Sequence, residues 1–342
     1  MPFQNLHEMP AVEEILGDMP FPAELKTIKA ERDQEIAAIF TGRIDKLLMV
    51  IGPCSADQED PVCDYIARLA KLQQLVAEKI LIVPRIYTNK PRTTGEGYKG
   101  MAHQPDPGKE PDLAAGLKAI RHMHLRAFRE SHLSAADEML YPMNYTYLAD
   151  VLSYVAVGAR SVENQQHRLV CSGVDIPVGM KNPTSGDLEV MLNSVRASQQ
   201  PHVFVHNGWA VESSGNPLTH AVLRGSYNRH NQHEPNYHYE DLMDLAERYI
   251  KRGLKNPAVI VDTNHSNSAK RYNEQPRIVW EIMESRKHSP LLRKLIKGFM
   301  VESYLEEGAQ NINDAVYGKS ITDPCLGWAA SEKLVLDIAA MV

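Results

Sequence analysis

The sequence has few cysteines, no long apolar run and no excess of positive charge, and each absence excludes a class of protein. Its four cysteines include no Cys-x-x-Cys pair, which argues against a zinc ribbon or a redox dithiol. No run of about 18 apolar residues occurs, and residues 1–10 lack the features of a secretory signal, so we expect a cytoplasmic protein with no membrane partner. The formal net charge of −6 provides no general attraction to nucleic acid.

What the chain does contain is a repeated pattern of short β-branched runs, each followed by a turn and an amphipathic stretch. The apolar runs are nearly continuous, as expected for parallel strands that are covered on both faces. We predict strands at 47–52, 81–87, 134–140, 155–160, 176–182, 202–206, 258–263 and 298–303. We predict helices at 61–76, 111–131, 145–154, 163–172, 186–198, 239–253, 276–287 and 331–341. This order predicts a (β/α)8 TIM barrel, with an open doubly wound sheet as the alternative.

Two regions do not fit this repeat. Residues 1–46 precede the first predicted strand and include a charged helical pattern at about 23–40, which predicts an N-terminal helical extension. Residues 207–257 are too long for an ordinary crossover and contain a strand-like piece at 221–225, which predicts an insertion after strand six. We therefore expect an N-terminal arm at 1–46 and one catalytic barrel at 47–342.

Basic residues recur at the C-terminal ends of the predicted strands and in the loops beside them. In a barrel these strand ends meet at one mouth, where active sites are built. So many buried like charges would be costly without an anion, and arginine and lysine suit phosphate and carboxylate groups. The pattern predicts a strongly anionic ligand held by Arg85, Lys90, Arg92, Arg160, Lys181 and Arg224.

A second set of residues at these strand ends has the donor atoms of a metal site. It consists of a thiol, an imidazole and two carboxylates after strands one, seven and eight, which are neighbours in a closed barrel: Cys54, His265, Glu302 and Asp323. Such a mixed set suits Mn, Fe, Co or Zn better than Ca. Taken singly, Cys54 is more often a small buried residue, and His265 is as often a hydrogen-bonded strand-end residue. The barrel geometry favours the metal.

At this level of detail the chain resembles a known family. Nine motifs occur in the family's order: GPCS at 52–55, PRIY at 84–87, KPRTT at 90–94, GAR at 158–160, PVGMKN at 177–182, LRG at 223–225, HSNS at 265–268, MVES at 300–303 and YGKSITD at 317–323. Together they strongly resemble class I 3-deoxy-D-arabino-heptulosonate 7-phosphate (DAHP) synthase, a phospho-2-dehydro-3-deoxyheptonate aldolase. The resemblance extends from about residue 47 to the C-terminus.

The resemblance implies a reaction and a role for each matched residue. It implies condensation of phosphoenolpyruvate with D-erythrose 4-phosphate and water, the first step of the shikimate pathway to chorismate and the aromatic amino acids. Phosphoenolpyruvate is then held by Arg85, Arg160, Lys181, Arg224 and the backbone of Gly158 and Ala159. Lys90 reaches both substrates, and Arg92 and Thr93 hold the sugar phosphate. The divalent metal, bound by Cys54, His265, Glu302 and Asp323, acts as a Lewis acid on the aldehyde. Catalytic roles fall to Lys90, Lys181, Glu138 and His265, with either Lys181 or Glu138 assisting the water.

Two alternatives remain open at the level of the sequence. A related synthase that forms an octulosonate uses a five-carbon sugar phosphate, but its sugar loop reads Lys-Ala-Asn-Arg-Ser where this chain has Lys-Pro-Arg-Thr. A barrel that has lost catalysis and serves as a partner or sensor would not need all four metal-ligand residues, yet all are present. Barrels of this family commonly form homodimers or homotetramers, which we also expect here.

Overall fold

The computed structural model describes residues 2–342. Within them, the β-strands are β1 Leu47–Gly52, β2 Ile80–Pro84, β3 Ala135–Glu138, β4 Leu152–Val157, β5 Val178–Lys181, β6 His202–His206, β7 Trp209–Ser213, β8 His220–Leu223, β9 Ser226–Tyr227, β10 His233–Glu234, β11 Val259–Asp262 and β12 Ile296–Glu302. The α-helices are α1 Val12–Asp18, α2 Lys26–Phe40, α3 Glu59–Val76, α4 Leu113–Ser131, α5 Gln165–Cys171, α6 Leu188–Ser198, α7 Tyr239–Arg252, α8 Gln275–His288, α9 Pro290–Leu295 and α10 Trp328–Met341.

Eight of the strands form a parallel barrel. Their order is β2-β1-β12-β11-β8-β5-β4-β3, and a parallel bridge between Arg85 and Ala136 joins the two outer strands and closes the sheet. The predicted (β/α)8 barrel is therefore confirmed. The register pairs Gly52 of β1 with Glu302 of β12. Because β1 ends at Gly52, Cys54 emerges beside the end of β12, as a shared site requires.

The barrel interior is packed with apolar side chains and closed at one end by helix α2. Inward-facing residues such as Val50, Val83 and Ile260 belong to one buried cluster with Ile36 and Phe40 of α2. The predicted N-terminal helix thus seals the N-terminal end of the barrel, after a short 3-10 turn at Ala23–Leu25. This leaves the opposite, C-terminal end open for a site.

The prediction that residues 202–206 form the sixth barrel strand was wrong. This segment is β6, which pairs antiparallel with β7 in a separate hairpin. Its side chains alternate in burial, and Val203 and Val205 are 75% and 72% exposed. The sixth barrel strand is β8, which had been assigned to the insertion; it is fully buried between β5 and β11. The extra residues are therefore divided between the hairpin before this strand and the small β9–β10 sheet after it.

The helix predicted at 145–154 was also wrong. Pro142–Tyr147 form a 3-10 helix instead, and β4 already begins at Leu152, so only a few residues remain to connect β3 with β4. A short helix, α9, was not predicted; it lies directly before β12, which begins two residues earlier than expected. None of the helices that the structure describes is long and apolar enough to cross a membrane.

Candidate active site

The predicted site residues converge on one cavity at the C-terminal end of the barrel. Those that line it are Cys54, Arg85, Lys90, Arg92, Glu138, Gly158, Ala159, Arg160, Lys181, Arg224, His265 and Asp323. Two predicted residues, the exposed Thr93 and the buried Glu302, are not among those that line the cavity. The Thr93 hydroxyl accepts a hydrogen bond from Arg160 Nε at 2.8 Å, and Glu302 is 1% exposed at the end of β12. The strand ends therefore bring together residues that are far apart in the sequence.

Three cations form the buried floor of the cavity. Arg85 follows β2, Lys181 ends β5 and Arg224 follows β8, and each is at least nine-tenths buried. The Arg85 guanidinium lies 3.8 Å and Lys181 Nζ 5.7 Å from the centre of the Tyr87 ring, within the range of cation–π attraction. Arg224 Nη1 makes only a long contact, 3.5 Å, with the Ser266 hydroxyl.

Two of these cations are balanced by buried carboxylates. Arg85 Nη2 lies 3.0 Å from Glu302 Oε1, and Lys181 Nζ lies 3.1 Å from Asp262 Oδ2. Burial alone would raise the pKa of Asp262, but the neighbouring His265 and Lys181 hold it well below its usual range. Burial likewise would lower the pKa of Arg85, whereas Glu302 raises it overall. The floor therefore contains two buried ion pairs.

The outer part of the cavity is formed by loops that carry the remaining cations. Lys90 Nζ donates to the Cys54 carbonyl oxygen and lies 3.2 Å from Cys54 Sγ. Arg92 Nε donates to the Tyr98 carbonyl oxygen at 2.8 Å. The contact between Arg160 and Thr93 joins the loop after β4 to the loop after β2. These hydrogen bonds join the loops to one another and to the backbone after β1.

Gly158 packs against the carboxylate of Glu138. A Cβ atom on Gly158 would lie 2.6 Å from Glu138 Oε1, closer than two such atoms approach. The glycine therefore lets Glu138, which is 8% exposed, pack directly against the backbone that begins the loop after β4. This places a carboxylate and a bare segment of backbone on the same wall of the cavity.

Three of the four predicted metal ligands lie close together. Cys54 Sγ and carboxylate oxygens of Glu302 and Asp323 lie within 4.8 Å of one another. His265 lies at the edge of this group: its Nε2 is 3.8 Å from Glu302 Oε1, while its Nδ1 is 2.9 Å from Asp262 Oδ2. The ligand role of all four residues remains a prediction, but the arrangement brings their donor atoms to one corner of the cavity.

The chemistry of this corner fits a divalent cation. Glu302 Oε1 is buried and accepts no well-aligned hydrogen bond, although Arg85 is near. Burial and the charge of Glu302 raise the pKa of the Cys54 thiol, so without a cation the thiol stays protonated. A bound cation favours the thiolate and satisfies the carboxylate oxygen.

Sequence reasoning missed several residues of the cavity, above all Lys270. Its Nζ lies 2.9 Å from Asp323 Oδ1, and although burial would lower its pKa, Asp323 raises it. Tyr227 and Thr322 also line the cavity. Lys270 lies in the same strand–helix loop as His265, the one signal that could have indicated it. The loop turns this side chain inward through left-handed φ values of 47°, 51° and 60° at His265, Ala269 and Lys270. These residue types do not predict such a conformation.

An eight-stranded barrel with a cationic cavity and a thiol–carboxylate corner at its C-terminal end defines a class of protein, the barrel enzymes that act on small anionic substrates. Within that class, the chain belongs to the DAHP synthetase I family, whose model matches residues 22–336. The predicted family is thereby confirmed, and with it the prediction of a 3-deoxy-7-phosphoheptulonate synthase.

Individual relatives agree with this assignment along nearly the whole chain. A Phe-sensitive phospho-2-dehydro-3-deoxyheptonate aldolase from Escherichia coli is 36% identical over 339 residues, covering 96% of this chain and 93% of that protein. The corresponding aldolase from Corynebacterium glutamicum is 32% identical, covering 98% and 92%. The solved structure of phospho-2-dehydro-3-deoxyheptonate aldolase from Francisella tularensis is similar with a TM-score of 0.92 at 30% identity, covering 99% and 98%.

Proposed function

We propose that the chain condenses phosphoenolpyruvate with D-erythrose 4-phosphate and water to give DAHP and phosphate, the first step of the shikimate pathway. The observation that carries this proposal is the meeting of a cationic cavity with a thiol–carboxylate corner at one end of the barrel. Two phosphorylated substrates need such a cavity, because they repel each other unless cations hold them. Membership of the DAHP synthetase I family supports the same reaction.

The buried floor suits phosphoenolpyruvate. We assign its phosphate and carboxylate to Arg85, Lys181, Arg224 and Arg160, with the backbone N–H groups of Gly158 and Ala159 as further donors. Arg224 is the clearest of these, since its guanidinium is buried with only a long contact to Ser266. Arginine can bind each anionic group through two parallel hydrogen bonds, which fixes the orientation of the substrate.

The outer loops suit the sugar phosphate. We assign the phosphate of erythrose 4-phosphate to Arg92 and Thr93, with Lys90 between the two substrates. Lys90 contacts Cys54 on one side and lines the cavity on the other, so it lies where the aldehyde end of the sugar would meet the corner. This arrangement holds the reacting carbons near each other and lowers the entropic part of the barrier.

We propose that Cys54, His265, Glu302 and Asp323 bind the divalent ion, which is Mn, Fe, Co or Zn. When bound, it supplies Lewis-acid polarisation of the aldehyde oxygen. The electron pair of the carbon–carbon double bond of phosphoenolpyruvate bonds carbon 3 to the aldehyde carbon, and the aldehyde oxygen takes up a proton to become a hydroxyl. Water then adds at carbon 2 and loses a proton. Cleavage of the bond between carbon 2 and the phosphate oxygen releases phosphate, and carbon 2 becomes the ketone of the product. We assign Glu138 as the proton acceptor for this water, because its carboxylate lines the cavity beside Gly158, whereas an ammonium group that holds an anion can only donate.

Phosphate release tests the proposed reaction. The wild-type protein is incubated with both substrates and Mn²⁺, with and without a chelator, and D-arabinose 5-phosphate replaces erythrose 4-phosphate in a parallel reaction. We expect chelator-sensitive release of phosphate with the four-carbon sugar only. Release with the five-carbon sugar alone would identify the octulosonate-forming alternative, and no release with either would indicate a barrel without catalysis.

Substitution of the ligands tests the metal assignment. Cys54→Ala and His265→Ala should each abolish metal-dependent turnover while the circular dichroism spectrum stays unchanged. Full activity in either variant would show that the residue does not bind the ion. Arg129→Ala, an exposed position at the last turn of α4, is the matched surface control and should retain wild-type turnover.

We also propose the organisation in which this reaction takes place: a cytoplasmic homodimer or homotetramer with an arm at 1–46 and a catalytic barrel at 47–342. Val203, Val205 and Trp209 support the assembly, since these large apolar side chains are 72–75% exposed on the β6–β7 hairpin. Light scattering measures the mass in solution. A monomer at micromolar concentration would contradict the assembly without affecting the proposed reaction.

A further inference from the structure

One buried carboxylate oxygen lies between the residues assigned to phosphoenolpyruvate and the residues assigned to the metal. Asp262 ends β11 and is fully buried. Its Oδ2 atom lies 3.1 Å from Lys181 Nζ and 2.9 Å from His265 Nδ1. Its other oxygen, Oδ1, accepts the backbone N–H of Asn264 at 3.1 Å. A single oxygen atom therefore faces both a residue assigned to phosphoenolpyruvate and a residue assigned to the metal.

Toward His265, this contact places one ring nitrogen, Nδ1, 2.9 Å from the carboxylate oxygen, although the two groups are not aligned as a hydrogen bond. With Nδ1 facing the carboxylate, Nε2 is left on the side of Glu302, 3.8 Å from Oε1. A carboxylate behind a histidine holds the ring in one orientation and makes the other nitrogen a better metal ligand. Asp262 is thus placed to orient His265 toward the thiol–carboxylate corner.

Toward Lys181, the same oxygen competes with the substrate for one ammonium group. An anion that binds in the cavity would compete with Oδ2 for Lys181 Nζ, and Oδ2 would then face His265 without its second cation. The stronger attraction of Oδ2 for the Nδ1 hydrogen would make Nε2 a better donor to a metal. In the opposite direction, a cation held at Nε2 would strengthen the contact between Nδ1 and the carboxylate and would free Lys181 for the anion.

We propose that Asp262 is a positioning residue that couples the two sites, so that phosphoenolpyruvate and the divalent ion each increase the affinity of the protein for the other. This inference rests on the proposed function, because it uses the assignments of Lys181 and His265. The coupling is reciprocal by thermodynamic necessity: the factor by which one ligand tightens the other is the same in both directions.

Binding measurements without turnover test the coupling. Free Mn²⁺ is followed by electron paramagnetic resonance during titration of the metal-free protein, with and without saturating phosphoenolpyruvate and with no sugar phosphate present. We expect phosphoenolpyruvate to tighten Mn²⁺ binding by about 5-fold or more in the wild type. In Asp262→Asn we expect Mn²⁺ binding to weaken by about 10- to 100-fold and the effect of phosphoenolpyruvate to fall below about twofold.

A second variant changes the metal affinity in the opposite direction. Lys181→Met removes the competitor for Oδ2, so without phosphoenolpyruvate this variant should bind Mn²⁺ more tightly than the wild type. A residue that only stabilises the fold would not produce this increase. The result also keeps the inference testable should Asp262→Asn fail to fold.

Asp137→Asn is the matched control. It neutralises another buried carboxylate at a strand end, whose hydrogen bonds go to Thr88 and to the N–H of Glu138. We expect this variant to keep the wild-type factor by which phosphoenolpyruvate tightens Mn²⁺ binding. A wild type that binds both ligands without mutual tightening, or an Asp262→Asn variant that keeps the full factor, would overturn the coupling alone. A wild type that binds neither ligand would overturn the proposed function as well.

Discussion

The buried ion pair between Arg85 and Glu302 makes a quantitative prediction. Both side chains are 1% exposed and their charged atoms lie 3.0 Å apart. Glu302→Gln removes one charge and leaves the guanidinium uncompensated, which for a buried pair costs about 3–5 kcal/mol. Arg85 keeps the Pro53 carbonyl oxygen at 2.5 Å and the face of Tyr87 at 3.8 Å. We therefore expect a loss near the lower end, about 3 kcal/mol in the free energy of unfolding.

Urea denaturation with a chelator present measures this loss without a contribution from bound metal. Asp150→Asn is the matched control, because Arg121 is also fully buried but its partner Asp150 is 36% exposed. Solvent reaches the Asp150 side of that pair, and Arg121 keeps its hydrogen bonds to the carbonyl oxygens of Met19 and Tyr147, so we expect a loss of about 1 kcal/mol or less. Equal losses in the two variants, or a loss below about 1 kcal/mol for Glu302→Gln, would refute the argument that burial sets the cost.

Three further predictions concern the sugar site, the cavity wall and the barrel interior. Arg92→Ala should raise the KM for erythrose 4-phosphate by about 10- to 100-fold, because a hydrogen bond to a charged group contributes about 1.5–3 kcal/mol. Steady-state kinetics measures this change. A rise in the KM for phosphoenolpyruvate alone would contradict the assignment. Gly158→Ala should displace Glu138 and lower kcat/KM at least tenfold, whereas Gly17→Ala, where a Cβ meets no atom within 4 Å, should leave it unchanged. Burial lowers the pKa of His220 from 6.5 to about 4, so the unfolded chain takes up this proton first as the pH falls. Denaturation at several pH values should show about 3 kcal/mol of stability lost between pH 6.5 and 4, and His220→Gln should flatten that part of the profile.

Most of the site could be predicted because strand ends and residue types are both readable in the sequence. Arg85, Lys181 and Glu302 each follow or end an apolar run, and once the runs are arranged as a barrel their side chains must meet. Their chemistry then follows from the residue types alone. The prediction depended on the order of the strands around the barrel and not on their exact lengths, so errors of up to three residues at strand ends did not change it.

The sixth barrel strand could not be predicted, because two segments of the sequence fit it equally well. Residues 202–206 and 220–223 are both short runs with apolar residues, and local sequence does not determine which of them enters the barrel. The choice is made by tertiary contacts: β8 pairs with β5 and β11, whereas β6 pairs only with β7 in its hairpin. The alternation of exposed Val203 and Val205 was the one local sign of a strand with a solvent-facing side.

The roles of Asp262 and Lys270 were missed for a different reason. Each is an ordinary charged residue in the sequence, and its role depends on the partner that the fold places within about 3 Å. For Lys270 that partner is Asp323, brought close by a loop with consecutive left-handed residues. Partners of this kind cannot be inferred from spacing along the chain.

The same pairings explain how the cavity can hold two anionic substrates. Three of its cations are already matched by carboxylates, Arg85 by Glu302, Lys181 by Asp262 and Lys270 by Asp323. Among the described residues, the cations of the cavity that face no carboxylate at ion-pair distance are Lys90, Arg92, Arg160 and Arg224. The proposed substrates carry two phosphates and one carboxylate, a total near −4 to −5 at about −1.5 to −2 per phosphate. Four unpaired cations nearly balance that charge, and a divalent ion beside a Cys54 thiolate would supply the remainder. The paired cations can therefore orient the anionic groups without adding to the net charge, while the unpaired ones set the charge that the cavity accepts.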